Sequence, residues 1–299
     1  MSNKRQMSPD IGICDSRLKF LVFPRTMDRW MMDFVPVDKQ KFLAVLERIA
    51  SFTVGVAVEN NTGVGTGTLI ADGDRRFVLT AEHVVRDSDA AQIRFWCKPS
   101  SRLVEKAAHE VSNAEIGKLT QGHPFPIESI VTNPDADLAL LTLDPRFKPP
   151  GSAEFFDLSA SQTLARPNTN LEGVSLVCFG FPVANSRPIA SVGNHSFSFL
   201  GCVSHACYYD SDLNSNLWNR ISSSISRELN FVLRYTKEDP YWKPEGFSGC
   251  GVWVAAESTT DRVWKPDPLL AGVVHRYVEK LDVLIASKLS TILDTVGSH

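Results

Sequence analysis

No apolar run in this sequence is long enough to span a bilayer, which takes about 20 residues in a helix, so no helical membrane anchor is expected. Behind the charge pair of Met1-Ser2-Asn3-Lys4-Arg5-Gln6-Met7-Ser8 there is no apolar stretch, so no secretory leader is expected either. Neither sign of charge dominates. The net charge is −3 over 299 residues, which gives no reason to expect nucleic acid or an anionic membrane as partner. The chain has no internal repeat and no low-complexity tract. Its six cysteines (Cys14, Cys97, Cys178, Cys202, Cys207, Cys250) are scattered rather than arranged as a disulfide framework. Cys97 and Cys178 lie in apolar, strand-like surroundings, where a reduced thiol acts as a small hydrophobe. This usage suits a cytoplasmic protein with free thiols. One stretch, Cys202-Val203-Ser204-His205-Ala206-Cys207 with Asp210 beyond it, has ligand types for zinc. A strand would put Cys202 and Cys207 on opposite faces, and no second ligand pair follows, so a strand end is the better reading and no metal or cofactor is expected.

At 43% hydrophobic and 22% charged residues, the chain has ample material for a core. Residues 1–36 show no clear period and read as an N-terminal extension whose aromatics, Trp30 and Phe34, are packing anchors. Asp38 suits a helix N-cap, and Val37 and Phe42 a hydrophobic staple. Phe42, Val45, Leu46 and Ile49 share one helical face, predicting a helix over about Lys39 to Ala50. The period then changes. Short β-rich runs follow at Thr53–Val58, Gly63–Ile70, Arg76–Thr80, Gln92–Cys97, Ile130–Val131 and Leu138–Leu143, split by turns such as Asp72-Gly73-Asp74. Asp144–Asn170, with Pro145, Pro149, Pro150, Gly151 and Pro167, is the best linker. Strands resume at Val174–Phe181, Ser196–His205, Asn230–Tyr235, Gly251–Ala255 and Leu269–Tyr277. Ile285, Leu289, Ile292 and Leu293 fall at helical spacing and predict a closing helix from about Ala286. The strand pattern suggests an antiparallel barrel or sandwich.

Three segments carry chemistry. Phe77-Val78-Leu79-Thr80-Ala81-Glu82-His83-Val84-Val85 supplies a histidine. Asn133-Pro134-Asp135-Ala136-Asp137-Leu138-Ala139-Leu140-Leu141 supplies an aspartate, and Glu245-Gly246-Phe247-Ser248-Gly249-Cys250-Gly251 a serine in a glycine-rich turn. A serine that attacks an amide needs a base with a near-neutral pKa, which selects histidine. A carboxylate on the far imidazole nitrogen fixes the tautomer and stabilises the imidazolium, and two N–H donors must meet the oxyanion. The order His, Asp, Ser is that of the chymotrypsin template. The Gly-x-Ser-x-Gly elbow of the α/β-hydrolases fails, because Cys250 holds its last position. His83 alone could be a strand-end histidine bonded to a carbonyl. Asp135 competes with Asp137, since in a strand the two would share a face. Cys250, two residues past the serine, is a rival nucleophile on paper and a packing residue in the simpler reading.

With these segments the chain resembles the chymotrypsin/trypsin-like serine peptidases. Gly65–Ile70, the Thr-Ala-x-His of Thr80–His83, the Asp-x-Ala-Leu-Leu of Asp137–Leu141 and the Gly-x-Ser-Gly of Gly246–Gly249 match the family's signatures in its order. Leu176–Pro182 is similar to the Gly-x-Pro strand of its bacterial members, and Gly272-Val273-Val274 to the strand beside bound substrate. The resemblance implies an all-β fold of two antiparallel six-stranded barrels with the site between them, here with an N-terminal helical extension and a C-terminal helix. The corresponding division is 1–50 extension, 51–150 first barrel, 151–170 linker, 171–299 second barrel and closing helix. It also implies His83 as base, Asp137 as its orienter, Ser248 as nucleophile, and the N–H groups of Gly246 and Ser248 as the oxyanion hole. Trp242 would stand at the floor of the primary pocket, and Tyr277 where glycine often keeps that pocket open. His275 falls one place later than the histidine of members that cleave after glutamate, so packing or support behind the site suits it better than a place in the pocket. Phe247 stands where secreted members carry the aspartate that pairs with a new N-terminus, and Val84 where a cysteine often follows the histidine. Phe247 cannot make that ion pair, so activation by that route is not expected, and Val84 agrees with a reducing compartment.

The expectation from sequence is therefore a cytoplasmic serine endopeptidase acting on a specific protein partner and held latent by its extension and insertions until triggered. The alternative is a catalytically silent peptide-binding or scaffold module. Ester hydrolysis would use the same residues.

Overall fold

The computed structural model describes residues 39–58, 64–97, 123–165, 171, 174, 176–181, 186–191, 194–199, 203–209, 217–221, 225–234, 244–255, 257–260 and 263–298. Trp30, Phe34, Val37, Asp38, Cys202 and Trp242 lie outside the described residues, as does the side chain of Phe42.

The chain enters through helix α1 (Lys39–Ser51), which buries Val45, Leu46, Ile49 and Ala50 along one side. On its other side Arg48 pairs with Glu154 and lies 4.5 Å above the Phe52 ring. Seven strands follow: β1 (Thr53–Val58), β2 (Val64–Asp72), β3 (Arg75–Ala81), β4 (Ile93–Cys97), β5 (Ile127–Asn133), β6 (Leu138–Leu143) and the short β7 (Phe156–Asp157). Their pairing order is β4-β1-β2-β3-β6-β5, antiparallel throughout, with β7 parallel to β2. Among the described residues this sheet does not close into a barrel, contrary to the expectation from the resemblance. Near its two ends, the backbone pairing among the described residues is one bridge, Phe95 with His123, just ahead of β5, beside the stacked rings of Phe95 and Phe125. The segment expected to be a plain linker supplies β7, and Phe156 and Leu158 from it are buried.

The second half forms a closed six-stranded barrel in the order β11-β12-β17-β16-β13-β8. Its strands are β8 (Leu176–Gly180), β11 (Val203–Tyr209), β12 (Asn230–Arg234), β13 (Gly251–Val254), β16 (Leu269–Val278) and β17 (Val283–Lys288). Two hairpins stand apart from it, β9 (Ser186–Ser191) with β10 (Asn194–Phe199), and β14 (Glu257–Thr260) with β15 (Val263–Pro266). Helix α2 is the single turn Glu82–Val85 after β3, and α3 (Leu289–Gly297) closes the chain. The closing helix begins three residues later than its spacing predicted. Ala286 belongs to β17, where its side chain points into the barrel core, so tertiary pairing overrides the helical period there.

Period-two alternation explains why so many strands read as unbroken apolar runs. Along β8, Leu176 and Cys178 face the barrel interior while Val177 and Phe179 face the joint with the first sheet. Along β3 and β6, Val78, Leu141 and Leu143 fill the core of the first sheet. Phe77, Leu79, Leu138 and Leu140 turn to the same joint. Trp253 sits fully buried in the joint, stacked on Phe52 at 5.6 Å and meeting Phe156 edge-on at 5.0 Å. α1 and α3 add Leu46, Ile49, Leu289 and Ile292. The two sheets are thus held by a shared hydrophobic layer.

Candidate active site

His83 stands on α2, whose Val84 and Val85 are buried in the core of the first sheet and fix the turn. Asp137 is reached differently. Asn133 Oδ1 accepts from the N–H of Ala136 at 3.3 Å, Pro134 opens a 3-10 turn, and Asp137 closes it in the left-handed region at φ 48°. Aspartate tolerates that conformation better than most residues. Residues 134–136 are therefore not strand, and the shared face imagined for Asp135 and Asp137 does not exist. Asp135 is exposed, and Asp137 meets the histidine.

The His83–Asp137 contact is made at three points. His83 Nδ1 lies 2.8 Å and 3.0 Å from the two carboxylate oxygens, and the His83 backbone N–H donates to Oδ1 at 3.0 Å. The Glu82 N–H adds a bond to the Asp137 carbonyl at 3.1 Å. The carboxylate is 13% exposed and the imidazole 40%, so the anion is shielded while the ring still reaches solvent. Burial raises the carboxyl pKa, but the neighbouring His275 imidazole and the hydrogen bonds and charge of His83 outweigh it, holding Asp137 well below the usual carboxylate range. It is anionic at neutral pH.

Ser248 comes from the other half. The Phe247 N–H closes a turn on the Pro244 carbonyl at 2.9 Å, with Gly246 at φ 94°, the geometry of a type II turn. Gly249 follows at φ 92°. The Gly249 N–H donates to the Val274 carbonyl at 2.7 Å, which fastens the turn to β16. Thr66 of β2 fastens it to the first sheet: its N–H donates to the Ser248 carbonyl at 2.8 Å and its hydroxyl to the Gly246 carbonyl at 2.7 Å. The same hydroxyl accepts from the Phe181 N–H at 2.9 Å. Among the described residues the N–H groups of Gly246 and Ser248 bond to no acceptor of the protein. Ser248 Oγ donates to the His275 carbonyl at 3.5 Å, a long bond, and is not hydrogen-bonded to His83 among the described residues.

The other sequence candidates separate. The Cys250 side chain is fully buried in the barrel core, away from the exposed imidazole. The Tyr277 hydroxyl is held by Asp282 at 2.8 Å, across the β16–β17 hairpin end. His275 does not line an open pocket: its side chain is 2% exposed and stands behind Asp137, Nδ1 3.6 Å from Oδ2. Asn230 and Thr66 were not singled out as site residues. Thr66 lies in the glycine-rich Gly65-Thr66-Gly67, a signal that could have found it, whereas Asn230 is 45 residues from its partner His275 and carries none. Among the described residues no group of three metal-binding side chains is assembled, and no helix is long and apolar enough to cross a membrane.

The model of the trypsin-like peptidase domain matches residues 65–215, about half of the chain. The chain belongs to the trypsin-like peptidase family. It is a serine protease by that membership. The matched span of this trypsin-like peptidase holds His83 and Asp137, and Ser248 lies beyond it. No curated protein sequence matches the chain. Among solved structures, an inactivated protease paralogue of the scabies mite is similar at 14% identity, over 83% of this chain and 93% of that one, with a TM-score of 0.49. A serine endoprotease from Yersinia pestis is similar at 13% identity, over 88% of this chain and 67% of that one, also with a TM-score of 0.49.

Proposed function

We propose that this peptidase is a cytoplasmic serine endopeptidase that cleaves a specific protein partner through an acyl-enzyme. His83 is the base, Asp137 its orienter, Ser248 the nucleophile, and the N–H groups of Gly246 and Ser248 are the oxyanion donors. The observation that carries this reading is the convergence of residues from the two halves of the fold. A shielded carboxylate holds Nδ1 of a solvent-reaching histidine from the first sheet. The serine turn of the barrel is stitched to that same sheet through Thr66.

In the reaction, Asp137 keeps the His83 proton on Nδ1 and leaves Nε2 free to take the Ser248 proton. As Ser248 Oγ bonds to the scissile carbonyl carbon, the carbonyl oxygen gains charge and the two N–H groups meet it. The proton on Nε2 then passes to the leaving amine, and water completes the hydrolysis. The long bond of Ser248 Oγ to the His275 carbonyl, in place of one to His83, favours an enzyme held latent until its partner arrives. Catalytic hydrogen bonds often tighten only in the substrate complex. The buried thiols of Cys178 and Cys250, which are in no disulfide, fit a reducing compartment.

Labelling with a fluorophosphonate, read by intact mass, tests this reading. One adduct on wild type and none on Ser248→Ala is expected. No adduct on wild type, alone or with candidate partner proteins, would leave the alternative, a silent peptide-binding module, which the same unmade Ser248–His83 bond favours.

A further inference from the structure

We propose that His275 is a positioning residue that shares the Asp137 carboxylate with His83, so that a proton on His275 turns the catalytic pair down. This rests on the reading of His83, Asp137 and Ser248 as the catalytic set.

The placement of His275 begins with a defect in a ladder. β16 pairs with β17 as Val274 with Ala286 and Arg276 with Ile285, so His275 is the extra residue of a β-bulge. A bulge re-aims the side chain it carries. Here the ring leaves the sheet and enters the joint between the two halves, 2% exposed, with Nδ1 3.6 Å from Asp137 Oδ2. The main chain of the same residue meets Ser248, whose Oγ donates to the His275 carbonyl. One residue therefore touches both ends of the catalytic set.

The tautomer follows from the neighbours. Asn230 Nδ2 donates to the Ser226 carbonyl at 2.8 Å, which fixes the amide with Oδ1 toward His275. His275 Nε2 lies 2.9 Å from that oxygen. An amide oxygen only accepts, so Nε2 carries the proton. In the neutral ring Nδ1 is then bare, and it is buried without a hydrogen-bond partner. A buried polar atom left unpaired is destabilising, and the group it faces is a carboxylate that can only accept. Protonation resolves the mismatch, because an Nδ1–H would donate to Oδ2. The groups around the ring are few. Asp137 comes from the 134–136 turn, Asn230 from β12 and Ser287 from β17, whose hydroxyl is held by the Ala136 carbonyl at 2.7 Å. Asp137 is the only charged side chain within ion-pair distance of His275 among the described residues.

Two imidazoles beside one carboxylate compete for its charge. With His275 neutral, the charge of Asp137 is left to the imidazolium that forms on His83 during acyl transfer. With His275 protonated, part of that charge is spent on His275, and the imidazolium of His83 is less stabilised. Both protonations lower the rate.

The test measures the rate constant for fluorophosphonate labelling of Ser248 against pH in wild type, His275→Asn and Asn230→Asp, together with NMR titration of the His83 imidazole. In wild type the acid limb should need two ionisations, and the His83 resonance should show two inflections. In His275→Asn each should reduce to one. In Asn230→Asp the new carboxylate favours a charged His275, and the first step should move up by roughly one pH unit. Superimposable profiles for wild type and His275→Asn would overturn the proposal. So would a uniform drop in rate with an unchanged pH profile, which marks a merely structural residue. If His275→Asn does not fold, an unmoved profile in Asn230→Asp does the same. A wild type that is never labelled refutes the catalytic reading instead, and the His83 titration still decides whether the carboxylate is shared.

Discussion

Gly249→Ala isolates the contact that joins the serine turn to the first sheet. Gly249 sits at φ 92°, where an alanine costs about 1–2 kcal/mol. The larger obstacle is space. A Cβ there would lie 1.8 Å from the backbone oxygen of Thr66 and 2.4 Å from the Thr80 hydroxyl. The Thr66 oxygen belongs to the β2 ladder and cannot swing aside like a side-chain tip, so the turn must lift away. Lifting breaks three bonds between the halves: Thr66 N–H to Ser248 at 2.8 Å, Thr66 hydroxyl to Gly246 at 2.7 Å, and Thr68 hydroxyl to Gly249 at 3.3 Å. At about 1 kcal/mol each, with the φ cost added, the loss is about 4–5 kcal/mol. Gly73→Ala is the control. Gly73 also has positive φ, at 57°, but a Cβ there meets nothing within 4 Å, so only the cost of about 1–2 kcal/mol applies. Urea unfolding should separate the two variants by about 3 kcal/mol, and Gly249→Ala should lose fluorophosphonate labelling while Gly73→Ala keeps it. Equal losses in the two variants, or normal labelling of Gly249→Ala, would refute the claim that backbone contact with β2 holds the serine turn.

Asp137→Asn keeps the shape of the site and removes the charge. It should slow labelling of Ser248 by about 10⁴-fold, the loss that the same change produces in the chymotrypsin arrangement, with the fold intact by circular dichroism. Because the folded Asp137 pKa is lowered, its contribution to stability is present above the unfolded value of about 3.9 and lost as pH falls below it. Acid unfolding of Asp137→Asn followed by fluorescence should lack that part of the dependence. Burial raises the Cys178 thiol and pushes that of Cys97 up to about 12, and contact with Cys178 together with burial raises Cys207. At pH 8, iodoacetamide should therefore leave these three unmodified in the native protein and alkylate them in urea, as read by peptide mapping; rapid native modification would show that the barrel core opens.

Much of this was legible in the sequence. The order of His83, Asp137 and Ser248, the glycines that let a serine turn approach a strand, and the apolar runs of β3, β6 and β8 are local signals, because backbone conformation and burial period are set by neighbours along the chain. The same locality misled where the chain breaks its period. By residue type alone Asp135 competes with Asp137, and it is the 3-10 turn started by Asn133 and Pro134 that leaves Asp137 rather than Asp135 beside His83. Ala286 fits a helical spacing yet pairs in β17, because the barrel needs that strand to close. That, among the described residues, the first sheet stays open in its pairing while the second closes is settled by which strands meet, and no residue announces it. His275 is the sharpest case. The sequence showed a histidine on the substrate strand. Only the tertiary structure decided that a bulge turns it inward, that Asn230 fixes its proton, and that its bare nitrogen faces Asp137, because these partners lie 45 and 138 positions away and are brought together by barrel closure and the packing of the two halves.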